Sequence, residues 1–183
     1  MGHEQSNRLW RRGAVDARSA THEAGHVLAG HLWLAALPRV CTVVGSPGRR
    51  AGCGWGDTLD ISTPAPDKWG RIPDAAKPQL VNRLRLFVGG AAATRIFGRE
   101  PGIWWREDRG RAFVYAKWLE GLDEGRQRKC VFDTLREVST TFADPMHLSV
   151  LTALATALLT EKTLVTGRLA ELIEGVEMST PIR

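Results

Sequence analysis

The chain has 183 residues, with 25 Lys+Arg against 20 Asp+Glu and a formal net charge of +5. That length suits one domain able to bury a core, and 43% hydrophobic with 25% charged residues excludes wholesale disorder. The longest apolar runs, His26–Leu37 and Val150–Leu159, fall well short of the roughly 18 residues of a membrane span, and the polar N-terminus has no signal-peptide core. Cys41, Cys53 and Cys130 are odd in number and lack metal-ligand spacing. They argue against a disulfide framework and for a reduced, cytoplasmic setting. The positive excess sits in the middle third, among Arg71, Arg83, Arg85, Arg95, Arg106, Arg109 and Arg111. Without a nucleic-acid motif beside it, this reads as a solvated helical face.

In chain order, residues 1–13 read as a flexible basic arm, and 14–183 as a single domain. A helix is expected from about Asp16 or Ser19 to Leu37, closed by Pro38. Val40–Val44 reads as a strand, Gly45–Gly48 as a turn, and Trp55–Ile61 as the second strand of a small ribbon. Four prolines make residues 62–78 a loop, and a second helix runs from about Pro78 to Phe97. Its interior Gly89-Gly90 costs about 1 kcal/mol per glycine relative to alanine; close approach of another helix is one reason to keep it, a kink the other. Further helices are expected over about 107–122, 125–142, 145–159 and 166–174. The fold class is therefore mainly α, with a small β-ribbon next to the first helix.

The chemistry is concentrated in Thr21-His22-Glu23-Ala24-Gly25-His26. In an α-helix, residues four apart are turned by only ~40°, so both imidazoles share one face. At that separation both can reach one Zn²⁺ at about 2.0–2.1 Å. Glu23 projects from the neighbouring flank, where it can act as general base on a metal-activated water attacking a polarised carbonyl.

A catalytic zinc needs a third protein ligand and one open position. Ligand schemes close to the motif fail: positions 29 and 32 are Ala29 and Leu32, and no Glu occurs between Glu23 and Glu100. His31 points to the opposite side of the helix. What remains is a distant acid, with Glu100, Glu107 and Asp108 the first cluster. Tyr115 and His147 are candidates to stabilise an oxyanion, with packing roles the alternative for each.

The chain resembles the peptidase domain of the FtsH-type ATP-dependent zinc metalloproteases over roughly residues 14–175. His22-Glu23-Ala24-Gly25-His26 matches that family's motif letter for letter. Val40–Val44, Pro47-Gly48-Arg49 and Gly54-Trp55 look like its strand, turn and edge strand. Gly89-Gly90-Ala91-Ala92-Ala93 and Phe97-Gly98 look like its next helix, and Leu151–Ala155 with Leu158–Leu164 like its C-terminal helices. The resemblance implies that Asp108, with Ala112 four residues on, opens the following helix as the third zinc ligand. Here Ile103-Trp104-Trp105-Arg106 replaces the family's usual Thr-Thr-Gly approach.

The expectation is a zinc metalloendopeptidase with His22, His26 and Asp108 on the metal and Glu23 as base. Gly54 and Trp55 would align an extended peptide at a sheet edge, where an added strand pairs through its main chain. No Gly-Lys-Ser/Thr phosphate loop and no apolar run of membrane-spanning length occur in these residues, so neither an ATPase activity nor a membrane anchor is expected. The resemblance thus implies peptide cleavage without ATP-driven unfolding, acting on flexible polypeptides or served by a separate ATPase or adaptor. A hexamer is implied by the family alone. The alternative is a catalytically idle binding or assembly module that retains zinc.

Overall fold

The computed structural model describes residues 3–44, 52–55, 72–98 and 105–179. Ala20, Ala24, Val27 and Leu28 fall on one stripe of the first helix, α1 (His3–Leu34), and all four are buried. α1 starts at His3, so the backbone of residues 3–13 is helical where an irregular arm is expected. Glu, Gln, Leu and Arg in that stretch are good helix formers, and extending an existing helix costs far less than nucleating one.

A short sheet follows. β1 (Val40–Thr42) pairs antiparallel with β2 (Gly52–Gly54), and Cys41 lies directly opposite Cys53. β2 thus ends at Gly54, and Trp55, where the second strand was expected to begin, is outside it. Residues 56–61, the turn Gly45–Gly48 and most of the proline-rich segment lie outside the described residues.

After a 3-10 turn (Asp74–Ala76) comes α2 (Lys77–Ile96), with Pro78 in its first turn, where a missing N–H costs nothing. Gly98 follows at φ +67°, the left-handed conformation that suits glycine after a helix end. α2 packs against α1, α3 (Trp105–Glu120) and α4 (Glu124–Phe142), and buries residues around most of its circumference. Its glycines explain the closeness of the α1 crossing. A Cβ on Gly89 would sit 2.8 Å from both the Ala29 Cβ and the Gly25 carbonyl oxygen, and one on Gly25 would strike the Gly89 carbonyl oxygen. Close approach, rather than a kink, is therefore what Gly89 serves.

α4 opens on Asp123, whose carboxylate accepts from the Arg126 N–H at 3.0 Å, and buries Val131, Leu135, Val138 and Phe142. α5 (Pro145–Glu161) opens on Asp144, which accepts from the Met146 N–H at 2.9 Å, and packs on α1. Lys162 at φ +64° turns the chain into β3 (Thr163–Val165), and α6 (Thr166–Ser179) follows. β3 pairs antiparallel with β1, which makes the sheet order β2-β1-β3. This third strand is new relative to the sequence reading, which ended one helix near Leu159, began the next at Thr166 and expected no strand between them. Its pairing partner lies more than 120 residues upstream, beyond reach of any local pattern.

The architecture is mainly α, six helices and one three-stranded sheet among the described residues. No single described helix is long and apolar enough to cross a membrane. Three arginines of the middle third lie over aromatic rings, and one of them also pairs with an acid. Arg85 lies over Trp33 and bonds Glu137 at 2.7 Å, Arg109 lies over Phe113, and Arg111 lies over Phe87.

Candidate metal centre

α1 presents His22 and His26 from consecutive turns, both buried, with their ring centroids 4.7 Å apart and nearly perpendicular. α3 brings Asp108 to them from 86 residues along the chain. Asp108 Oδ2 lies 2.8 Å from His22 Nε2 and 3.2 Å from His26 Nε2, and the two Nε2 atoms are 3.1 Å apart. The three donor atoms form a nearly equilateral triangle. Ligands at about 2.0–2.1 Å in a tetrahedron around zinc lie about 3.3 Å from one another, so the triangle fits one tetrahedral face. Of the three acids left open by the motif, Glu107 is exposed on the first turn of α3, and Glu100 lies outside the described residues.

The second ring nitrogens decide how far the imidazoles are prepared. His26 Nδ1 lies 2.8 Å from the Leu86 carbonyl oxygen, an acceptor that requires Nδ1 to carry the proton. In the neutral ring this leaves the lone pair on Nε2, facing the triangle. His22 Nδ1 is buried without a hydrogen-bond partner. The His22 ring lies flat against α2, where a Cβ on Gly90 would sit 2.6 Å from Cε1 and 2.7 Å from both nitrogens. Gly89 thus serves the helix crossing and Gly90 makes room for the imidazole.

Burial alone would lower the pKa of His26; the charge and hydrogen bond of Asp108, with Glu23 behind them, reverse this and raise it to about 9. Burial pushes Asp108 upward, but His26 and His22 hold its carboxyl well below the usual range. Without a metal, a protonated, positively charged His26 faces the Asp108 carboxylate. With one, that positive charge is replaced by the ion.

Glu23 is buried, one residue beyond His22. Its carboxylate lies within 4.8 Å of the sulfurs of Cys41 and Cys53, and the Cys53 thiol donates to its main-chain carbonyl at 3.7 Å. Burial first, then the Cys41 thiol, holds the Cys53 thiol well above its ordinary value. The juxtaposed thiols are a feature that sequence reasoning missed. The spacing of 12 residues signals nothing until the ribbon register is known.

Other candidates fall elsewhere. His31 Nε2 is 3.4 Å from a Glu177 carboxylate oxygen, on the α6 side of α1. Tyr115 stacks on Phe87 at 5.5 Å and meets Trp118 edge-on, and His147 Nδ1 donates to the Thr141 carbonyl at 2.8 Å. Both are built into packing. Gly54 lies on β2, an edge strand among the described residues, while Trp55 is half-buried with its ring against Gly30 of α1.

No protein-family model matches the chain, and no curated protein is significantly similar to it.

Proposed function

We propose that this protein is a zinc-dependent endopeptidase of FtsH-like type that cuts flexible or unfolded polypeptides. The observation that carries the reading is the convergence of His22 Nε2, His26 Nε2 and Asp108 Oδ2 within 3.2 Å of one another in a buried corner. A structural zinc site closes its fourth position with protein, whereas a three-residue set leaves it for water and substrate. Bound there, zinc would polarise the scissile carbonyl and bring a water's pKa down toward neutrality.

The chain's own groups do the rest. The Leu86 carbonyl holds His26 in the tautomer that points a lone pair at the triangle, and Gly90 lets the His22 ring lie flat beside it. Glu23 takes a proton from the attacking water on its carboxylate and returns it to the departing amine. The outer edge of β2, unpaired among the described residues, would offer main-chain groups to an extended peptide. A peptide in that conformation must already be unfolded, which is why a separate ATPase or adaptor would serve folded substrates.

The second reading, an idle module that keeps zinc, draws on the position of Glu23 beside two thiols. One experiment separates them. Purified protein should hold about one zinc per chain and cleave casein, and Glu23→Gln should keep the zinc and lose the cleavage. Zinc without cleavage supports the idle module, and no zinc overturns both.

A further inference from the structure

We propose that Cys41 and Cys53 are a reversible dithiol–disulfide site set across the β1–β2 ribbon beside Glu23. The two residues are direct partners in the antiparallel register, and both are free thiols with their sulfurs 2.8 Å apart. Directly opposed residues in such a ladder have Cα atoms about 4.5–5.5 Å apart, inside the range of about 4.4–6.8 Å that a disulfide spans. The backbone therefore needs little movement to close the bond.

The same residues could in principle chelate a soft cation with Glu23. Two thiolates around tetrahedral zinc, at about 2.3 Å each, stand about 3.7 Å apart. The observed separation is much shorter, which favours the sulfur–sulfur bond. Cys130, the third cysteine, sits on α4 and has no such neighbour.

The chemistry needs a two-electron oxidant, for which hydrogen peroxide serves. Cys41 is fully buried and Cys53 only partly, so Cys53 is the entry point. Its thiol first releases the proton, a step slowed because burial holds its pKa well above the ordinary value. The sulfur then attacks peroxide, breaking the O–O bond to give a sulfenic acid, and the departing hydroxide takes up a proton as one water. The Cys41 sulfur then attacks the Cys53 sulfur; the S–O bond breaks, and the hydroxyl leaves as a second water with the Cys41 proton. Two thiols and one peroxide become one disulfide and two waters. A small dithiol reverses the change by exchange. The bond removes two S–H groups from beside the Glu23 carboxylate and ties the ribbon together there. The inference stands on the cysteines and does not require the peptidase reading.

The test oxidises the full chain with hydrogen peroxide, alkylates remaining thiols and maps peptides by mass. The expected product has lost two hydrogens, carries a Cys41–Cys53 peptide pair restored by dithiothreitol, and keeps Cys130 open to alkylation. Cys41→Ser should instead accumulate a sulfenic acid at Cys53 that dimedone traps. The wild-type map decides the matter even if that variant folds poorly. Oxidation confined to Cys130, over-oxidised Cys53 without a bridge, or a second zinc per chain that protects both thiols would each overturn the proposal.

Discussion

The Cβ that Gly90 lacks would lie 2.6 Å from Cε1 of His22, so a glycine on α2 sets the space for a ring on α1. This links helix packing to the candidate metal site. Gly90→Ala should cost about 1–3 kcal/mol, the usual range for overpacking, and should lower zinc content as the ring is displaced. Gly110 in α3 has open space around its Cβ position. Gly110→Ala should therefore stabilise by about 0.5–1 kcal/mol. Paired urea melts and metal analyses check both, and equal behaviour of the two variants would contradict the assignment.

Asp108 and Glu107 are neighbours with different environments, one against the imidazoles and one exposed. Asp108→Ala should weaken zinc binding by at least tenfold, the loss expected even from outer-shell changes at such sites (about 10–100-fold). Glu107→Ala should leave the stoichiometry unchanged. Competition against a chelator measures both, and the reverse order would move the ligand role to Glu107.

The pH dependence follows from His26. Its pKa is raised from 6.5 to about 9 in the folded, metal-free chain. A group raised on folding contributes stability that is complete below its unfolded value and lost as pH climbs through the folded one. Chelator-treated protein should thus melt at lower temperature as pH rises from about 6.5 to about 9. Asp108 is depressed, so its share is present above the ordinary carboxylate range and fades only in acid. Zinc uptake should strengthen over the same rise, because the ion displaces the proton from His26. Calorimetry across that window tests the sign, and a flat profile matching His26→Gln would refute it.

Trp55 sits half-buried against Gly30. Trp55→Ala should cost about 2 kcal/mol, less than the ~3–5 kcal/mol of a fully buried aromatic. A substrate-only role predicts an unchanged melting temperature with a raised KM, so the two measurements together distinguish packing from peptide contact.

Local pattern and tertiary structure contributed different things. The helices over residues 77–96, 124–142 and 145–161 were legible because apolar periodicity and the helix-opening Pro78 and Pro145 act within a few residues. The ribbon was legible as a strand pair but not in register, since Gly52–Gly54 lacks the β-branched residues that mark a strand. β3 was invisible because three residues earn strand geometry only by docking on β1. Residues 3–13 are helical despite their polar composition because helix propensity and continuity with the rest of α1 prevail.

The same division holds for the candidate site. By itself the sequence determined that His22 and His26 share a helix face with Glu23 beside them, because helical pitch is a local property of the chain. Only the tertiary structure decided that Asp108 rather than Glu107 meets those rings, that Leu86 orients one and Gly90 accommodates the other, and that Cys41 faces Cys53. Each of those relationships joins segments brought together by burying one shared core, and packing at that density leaves a single choice of neighbours.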